Sequence, residues 1–267
     1  LTGDATRKWQ GDWTHSISWQ PLAVLRPKST EEVSAIMRIA THHQMPVVPV
    51  SGNTGLSGGT QAEGVLMLSL DRLNKVEEIR TDSRTLRLQA GVVLEDIHTI
   101  CAEHGLVFPL TFGARGSAQI GGHLSTNSGG NNVLKYGTTR AQVLGLYAVL
   151  PDGRSWNGLR ALHKDTAGND LKQIFIGAEG TLGIITAAVL KLRPKPVSRE
   201  TAMVAIKAPE DGLWLLRKLQ EYVGETVSSF ELMHKNTIDT YRAFKPEARV
   251  PFTESHPYLV LMEAESP

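Results

Sequence analysis

Glycine, and its position along the chain, constrains this sequence more than any other feature. There are 25 glycines among 267 residues, and many lie in three clusters, at 51–64, 113–130 and 176–183. Glycine permits positive φ and lets backbone N–H groups approach a ligand with no side chain in between. The clusters therefore predict a site that is built mainly from backbone.

The first cluster follows a short β-branched strand at 47–50, and positions 51–64 contain no Lys or Arg. Successive amides that point inward form an anion-binding nest. A phosphate in such a loop would be neutralised by amides rather than by cations, which suits a buried cofactor. The alternative is a plain loop between two strands. Neither a P-loop nor the GxGxxG dinucleotide fingerprint is present.

A competing motif overlaps the first cluster. The sequence GLSGG at 55–59 matches the GxSxG elbow of serine hydrolases. That elbow needs a helix directly after the serine, and 58–64 is a poor helix start. A hydrolase that uses Ser57 is kept as a rival hypothesis.

The second and third clusters consist mostly of small residues. Positions 109–130 carry one charged residue, Arg115. Such a segment buries too little apolar area to form a core, so we expect a large flat ligand to fill the space that it lines. The alternatives are a mobile surface loop for the second cluster and tight helix–strand packing for the third.

Local patterns predict the elements around these clusters. Ser29 and Glu32 form a capping box that begins a helix, and a second helix is expected at 94–104 with Gly105 directly after it. Segments 76–80 and 85–90 predict a hairpin, and 183–192 predicts a strand buried on both faces. No period holds between 111 and 132.

The Pro-Lys-Pro sequence at 194–196 predicts a domain boundary. We predict one domain at 1–196 and a second at 197–267. The second has a β-α-β-α-β pattern, with strands at 201–206, 228–232 and 258–263 and helices at 212–222 and 235–244. Because the chain starts at Leu1 and stops after a strand, we expect it to be part of a longer protein.

Composition excludes several classes of protein. The net charge is only +1, so nucleic acid is not expected as a partner. One cysteine, Cys101, excludes an intramolecular disulfide and a Cys-based zinc site, and no metal site is expected. Apolar runs are too short for a membrane helix. With no visible signal peptide, we expect a cytoplasmic location.

Four stretches carry a resemblance when they are taken together. They are VPVSGNTGLSGG at 48–59, FGARGSAQIGGHLSTNSGG at 112–130, DLKQIFIGAEGTLGIIT at 170–186 and LRPKP at 192–196. They resemble the FAD-binding domain of the vanillyl-alcohol oxidase (PCMH-type) flavoprotein family, and within it the D-2-hydroxyacid dehydrogenase and glycolate oxidase flavin-subunit branch. The resemblance implies an α+β fold, with a two-subdomain PCMH-type FAD-binding domain followed by the start of an α/β cap domain.

The resemblance also implies a set of cofactor-binding residues. The first loop would hold the pyrophosphate, the second cluster would line the flavin ring and ribityl chain, and the third would lie near the adenosine half. The residues carried over are Gly52, Asn53, Thr54, Gly55, Leu56, Pro109, Gly113, Ala114, Ser117, Gly121, Gly122, Ser125, Thr126, Gly129, Glu179, Gly180, Gly183 and Ile184.

Two residues refine the expected flavin chemistry. Some members of the family bind flavin covalently through a His in the first loop, and Asn53 stands at that position, so we expect non-covalent FAD. His123 is interpreted as a helix-face histidine with a satisfied hydrogen bond, the alternative being a group near the flavin edge.

The resemblance implies an FAD-dependent oxidoreductase. It would oxidise a D-2-hydroxyacid of the lactate, glycolate or 2-hydroxyglutarate type to the 2-oxoacid by hydride transfer to flavin. An unidentified electron acceptor is the implied partner, and a homodimer is the assembly to test. The catalytic base and the substrate clamp are expected beyond this chain. The alternative is a flavin-binding subunit or fragment without its own base.

Overall fold

A computed structural model describes residues 1–266 of the chain, which form two compact units. The first unit comprises Leu1–Ser128 and Thr138–Arg193, and the second comprises Gly129–Gly137 and the residues from Pro194 onward. The break in the chain therefore falls at the start of the predicted Pro-Lys-Pro boundary. The short segment Gly129–Gly137 belongs to the second unit, which the sequence did not indicate.

The strands are β1 (Ala23–Leu25), β2 (Val47–Val50), β3 (Leu66–Ser69), β4 (Val76–Arg80), β5 (Thr85–Gln89), β6 (Leu106–Val107), β7 (Val143–Val149), β8 (Ser155–Gly158), β9 (Ile184–Lys191), β10 (Arg193–Pro194), β11 (Ser198–Ile206), β12 (Val227–His234) and β13 (Tyr258–Ser266). The α-helices are α1 (Thr30–His42), α2 (Leu94–Glu103), α3 (Ile120–Thr126), α4 (Val133–Tyr136), α5 (Lys172–Phe175), α6 (Pro209–Val223) and α7 (Lys235–Phe244). Short 3-10 helices span Gly3–Trp9, Thr139–Gln142 and Gly224–Thr226.

The first unit contains two sheets of three or more strands. A three-stranded parallel sheet has the order β1-β3-β2, and a five-stranded sheet, whose described pairs are antiparallel, has the order β4-β5-β9-β7-β8. Strand β9 lies between β5 and β7 and is buried along almost its whole length, as its apolar sequence predicts. The α+β class with two subdomains is confirmed.

Helix α1 begins where the capping box predicts. The Ser29 hydroxyl accepts a hydrogen bond from the Glu32 amide at 3.2 Å, and the Glu32 carboxylate accepts one from the Lys28 amide at 2.8 Å. Val33 is fully buried, with Ile36 and Met37 packed beside the same core cluster. This apolar face fixes the helix against its neighbours, because helices of this length depend on tertiary packing.

Helix α3 lies within the segment 111–132, where the sequence shows no period. It has seven residues, too few to show a helical period, and two of them are glycines. Tertiary contacts hold it: the Ile120 amide donates to the Val92 carbonyl at 2.9 Å, and the Gly121 amide donates to the Ala90 carbonyl at 2.7 Å. Asn127, at φ +50°, ends it in the left-handed conformation.

The second unit is an antiparallel three-stranded sheet in the order β11-β13-β12, with helices α6 and α7 between its strands in sequence. The β-α-β-α-β pattern is observed. The Glu265 carboxylate is 1% exposed and accepts hydrogen bonds from Arg199 Nε at 2.9 Å and from the Tyr136 hydroxyl at 2.8 Å, with Lys135 Nζ 3.5 Å away. This buried network joins Gly129–Gly137 to the second unit.

No helix in residues 1–266 is both long and apolar enough to cross a membrane.

Candidate functional site

The three glycine clusters meet around one cleft in the first unit. Its volume is about 470 Å³, within the range of roughly 300–1,000 Å³ that is usual for small-molecule and cofactor sites. It is lined by Pro49, Val50, Ser51, Gly52, Asn53, Thr54, Gly55, Ser57, Gly59, Thr60, Leu70, Phe112, Ala118, Gln119, Gly121, Gly122, His123, Ser125, Thr126, Ser128, Glu179, Gly180, Ile184 and Ile185. Residues that are distant in sequence therefore form one site.

Close backbone approach joins the first cluster to the second. A Cβ atom at Gly52 would lie 2.4 Å from the Ser117 carbonyl oxygen and 2.8 Å from Ala118 Cα. Only glycine fits at this point, because backbone atoms on the other side cannot move away. The Ser51 hydroxyl also donates to Gln119 Oε1 at 3.1 Å.

The third cluster is held against strand β2 and the end of helix α3. Gly180, at φ +79°, leaves no room for a Cβ atom, which would lie 2.5 Å from Pro49 Cγ. The Glu179 amide donates to the Ser125 carbonyl at 2.9 Å. These contacts place the third cluster along the same cleft as the other two.

Asn53 holds the first loop in place. It adopts the left-handed conformation at φ +51°, which Asn tolerates better than most residues. Its Nδ2 donates to the Gly11 carbonyl at 2.8 Å, and its Oδ1 accepts from the Thr60 hydroxyl at 2.8 Å. In this structure Asn53 therefore shapes the loop, whatever the cleft holds.

Arg140 braces the third cluster from outside the cleft. Its Nη1 donates to the Gln173 carbonyl at 2.9 Å, and its Nη2 donates to the Ile176 carbonyl. Its backbone amide donates to Asn127 Oδ1 at 2.9 Å, at the end of α3. Through its guanidinium and its backbone amide together, Arg140 thus links the start of the third cluster to the end of helix α3.

Among residues 1–266, no Lys or Arg side chain lines the cleft, and Glu179 is the only Asp or Glu that does. Hydroxyl groups are abundant, from Ser51, Thr54, Ser57, Thr60, Ser125, Thr126 and Ser128. An anion bound here would therefore be met by main-chain N–H groups and hydroxyls. This is the arrangement that the first cluster predicts.

His123 also lines the cleft and is 4% exposed. Its Nδ1 lies 3.1 Å from the Ser128 hydroxyl, but its Nε2 has no hydrogen-bond partner in the described structure. Burial, with a smaller effect of the charge on His98, lowers its pKa to about 4. The interpretation of His123 as a helix-face histidine with a satisfied hydrogen bond therefore holds for Nδ1 but not for Nε2.

Most of the residues carried over by resemblance line this cleft. They are Gly52, Asn53, Thr54, Gly55, Gly121, Gly122, Ser125, Thr126, Glu179, Gly180 and Ile184.

The other residues carried over are not among the lining residues. They are Leu56, Pro109, Gly113, Ala114, Ser117, Gly129 and Gly183. Leu56 is 64% exposed. Gly183 has a packing role instead, because a Cβ there would lie 2.9 Å from the Val149 carbonyl oxygen and 3.0 Å from the Phe175 ring. Gly129 belongs to the second unit.

The sequence did not single out several lining residues. Leu70 and Ile185 lie in or directly after core strands, where an apolar residue is expected to be part of the core. Phe112 and Gln119 lie next to the glycines of the second cluster in sequence. The Arg140 brace was also missed, since its carbonyl partners lie more than thirty positions away.

The hydrolase hypothesis for Ser57 lacks its required geometry. Residues 51–65 contain no helix, so no helix follows Ser57. Among residues 1–266, no group of three His, Cys, Asp or Glu side chains could hold a metal ion.

These features define a binding domain for an extended anionic nucleotide. The FAD binding domain family model (FAD_binding_4) matches residues 21–157, about half of the chain. The chain belongs to this FAD-binding family, and the predictions of the family and of FAD as the cofactor are confirmed.

Relatives extend the similarity to the second unit. D-2-hydroxyglutarate dehydrogenase of Xanthomonas citri pv. viticola is 40% identical over 94% of this chain and 53% of its own length. The mitochondrial D-2-hydroxyglutarate dehydrogenase of Bos taurus is also 40% identical, over 94% of this chain and 46% of its own length. A D-2-hydroxyglutarate–pyruvate transhydrogenase of Saccharomyces cerevisiae is 36% identical, over 94% of this chain and 51% of its own length. The chain thus spans about half the length of these relatives.

The fold also matches a solved structure. Alkyldihydroxyacetonephosphate synthase superposes with a TM-score of 0.79 at 22% identity, over 95% of this chain and 48% of that one. At this identity the likeness concerns the fold.

The cleft residues fit FAD. A cation-free loop of backbone amides suits a diphosphate, and glycines leave open space where side chains would stand, as at Gly55, where a Cβ would meet nothing within 4 Å. His123 Nε2 is a buried polar atom that still lacks a partner.

Proposed function

We propose that this chain is the FAD-binding part of an oxidoreductase that converts a D-2-hydroxyacid to the 2-oxoacid. The observation that carries the proposal is the cation-free cleft where the three glycine clusters meet. Relatives named as D-2-hydroxyglutarate dehydrogenases, 40% identical over most of this chain, support the substrate class. Lactate, glycolate and 2-hydroxyglutarate are the candidate acids.

In this proposal the first loop binds the diphosphate through the backbone around Gly52, Thr54 and Gly55. The second cluster, through Gly121, Gly122, Ser125 and Thr126, lies along the flavin and ribityl half. Glu179 and Gly180 lie toward the adenosine half. These assignments rest on the resemblance and on the cleft lining.

Bound FAD supplies a two-electron acceptor for the hydride from the substrate carbon. The protein has to orient that carbon and remove the hydroxyl proton, which requires a base. A substrate carboxylate also needs a cationic partner. The cleft lining contains neither Lys nor Arg, so we assign the carboxylate clamp to residues outside the cleft.

The same observation favours a second candidate function, that of a flavin-binding subunit or fragment without its own catalytic base. It would bind FAD equally well but would not reduce it with substrate alone. The two candidates therefore share the cofactor and differ in turnover.

The test is anaerobic titration of the FAD-loaded chain. We expect a visible flavin spectrum from this chain. When the chain is extended to the length of its relatives, so that a base and a clamp are supplied, we expect bleaching by D-2-hydroxyglutarate, D-lactate or glycolate but not by the L-enantiomers of the first two. A flavin that binds but never bleaches favours the second candidate. A chain that binds no FAD refutes both.

The mode of attachment is tested separately. Because Asn53 stands where some family members carry a linking His, we propose that the flavin is not covalently bound. After acid precipitation the yellow colour should pass into the supernatant. Colour that stays in the pellet would refute this.

The partners and the location are also proposals. A second substrate must reoxidise the flavin, and the yeast relative, named as a transhydrogenase with pyruvate, makes a 2-oxoacid the first acceptor to assay. We propose a cytoplasmic homodimer, to be tested by fractionation and light scattering. The bovine relative is named as mitochondrial, so mitochondria are the alternative where the host cell has them.

A further inference from the structure

His123 occupies an unusual position in the wall of the cleft. It lies in helix α3 and is 4% exposed. Its ring meets the Phe112 ring edge-on, with centroids 4.9 Å apart. The imidazole is therefore fixed in orientation by packing before any ligand arrives.

A chain of hydrogen bonds fixes its tautomer. The Thr126 hydroxyl has one proton and donates it to the Gly122 carbonyl at 2.9 Å. The 2.8 Å contact between the Thr126 and Ser128 hydroxyls must then use the Ser128 proton. Since that proton is committed, the 3.1 Å contact between Ser128 and His123 requires His123 Nδ1 to carry the hydrogen. Nε2 is left with a bare lone pair.

That lone pair is buried and has no partner among the described residues. Leaving a buried acceptor unsatisfied is costly, so such atoms are rare in folded proteins. The ring stays neutral near pH 7, because burial lowers its pKa to about 4. Nε2 is thus a buried acceptor on a residue that lines the cleft, and its missing partner must be a donor.

The donor requirement narrows which part of a ligand can meet His123. Phosphate and carboxylate groups at neutral pH offer acceptors only. A flavin ring offers an imide N–H and a ribityl chain offers hydroxyls, while an adenosine half offers its adenine amine and ribose hydroxyls. The donor requirement by itself therefore excludes only the diphosphate. His123 also belongs to the second cluster, on the side of the cleft that we assign to the flavin half.

We propose that His123 Nε2 accepts a hydrogen bond from the flavin half of FAD, and that the Thr126–Ser128 relay holds the imidazole in the tautomer that can do so. This rests on the proposed function, since it assumes that the cleft holds FAD. It assigns His123 to flavin binding and not to the diphosphate or the substrate.

The mutational test compares two substitutions. His123→Phe keeps a ring against Phe112 but has no acceptor, whereas His123→Gln keeps an acceptor. We expect His123→Phe to weaken FAD and riboflavin binding roughly three- to tenfold, leaving ADP unaffected, and His123→Gln to stay within about twofold of the wild type. The control is His98→Gln, because His98 Nε2 contacts the Leu110 carbonyl and His98 does not line the cleft.

A second readout separates binding from folding. Without FAD, His123→Phe should unfold at the same temperature as the wild type or higher, because it removes an unsatisfied buried atom. The gain in unfolding temperature on adding FAD should shrink. The inference is overturned if His123→Phe binds riboflavin as the wild type does, or loses ADP affinity equally.

Nitrogen-15 NMR of the wild-type imidazole tests the proposal without a substitution. We expect Nδ1 to be protonated with and without FAD, and the Nε2 signal to shift when FAD binds. If FAD binds but the Nε2 signal does not change, the inference about His123 is overturned while the proposed function stands. Absence of FAD binding by the wild type overturns the proposed function as well, so the two failures are distinguishable.

Discussion

Replacing Gly55 by valine tests whether the first loop binds the diphosphate through its backbone. Gly55 lines the cleft, and a Cβ added there would meet no protein atom within 4 Å. Its φ is not in the left-handed region. The valine side chain would therefore enter the space assigned to the ligand without disturbing the packing of the protein.

The magnitude follows from the hydrogen bonds that would be lost. A hydrogen bond to a charged group contributes about 1.5–3 kcal/mol, which corresponds to roughly ten- to 150-fold in affinity. We expect Gly55→Val to weaken FAD binding by at least about tenfold if one such bond is broken. The stability of the FAD-free chain should change by less than about 1 kcal/mol, since such a substitution acts mainly on the unfolded chain.

Gly116→Val is a matched control. Gly116 is exposed, has nothing within 4 Å of its added Cβ, and does not line the cleft. FAD affinity would be measured by quenching of flavin fluorescence, and stability by urea unfolding. Equal affinities for Gly55→Val and Gly116→Val would refute the backbone-binding argument, provided that both variants fold.

Three further substitutions test the supports of the site and of the second unit. Arg140→Lys should destabilise the chain by roughly 1–3 kcal/mol and weaken FAD binding, because an ammonium group cannot reproduce the forked guanidinium that reaches the Ile176 carbonyl. Urea unfolding measures the stability and FAD titration measures the affinity. An unchanged FAD affinity would refute the bracing role. Glu179→Gly should stabilise the FAD-free chain by up to about 1 kcal/mol, because Glu179 has a positive φ that glycine adopts without strain. Glu179→Ala should not stabilise the chain. Equal unfolding midpoints for the two variants would show that the backbone at this position is not strained. Glu265→Gln should cost roughly 1–3 kcal/mol, since it leaves Lys135 and the half-exposed Arg199 without their buried carboxylate. Burial raises the pKa of Glu265, but hydrogen bonds from Tyr136 and Arg199 outweigh this effect and hold the pKa below the usual 4.5. The wild type should therefore keep the stabilisation from Glu265 above pH 4.5 and lose it progressively below that pH. The glutamine variant should lack this part of the acid dependence of stability.

The regular elements were largely predictable because their signals are local. The capping box at Ser29 and the apolar run of β9 each depend on residues within one element. Helix α7 spans Lys235–Phe244, as its pattern predicts. Helix α3 was not predictable, since its amides bond to carbonyls in the segment 90–92 that only the folded chain brings near.

The site was predictable in its clusters but not in its detail. A glycine gives the same sequence signal whether it borders open space in the cleft, as Gly55 does, or makes room for another part of the backbone, as Gly183 does. The two roles differ only in what lies opposite, which is a property of the fold. The same holds for the free lone pair of His123, which depends on where the protons of Thr126 and Ser128 go.

The residues that line the cleft offer a ligand two kinds of polar group. The first loop has no Lys or Arg, so in the proposed function its neutral amides would bind the phosphates, and close contacts such as that of Gly52 with Ser117 set the position of the loop. His123 Nε2 is an acceptor that no residue in the described structure satisfies. A ligand with acceptors at one end and a donor at the other satisfies both sets of groups at once, whereas phosphate alone or an aromatic ring alone satisfies only one. A ligand that binds the folded chain but not the unfolded chain raises the free energy of unfolding, and this increase grows with the logarithm of the ligand concentration. Both requirements agree with the proposed binding of FAD in this cleft.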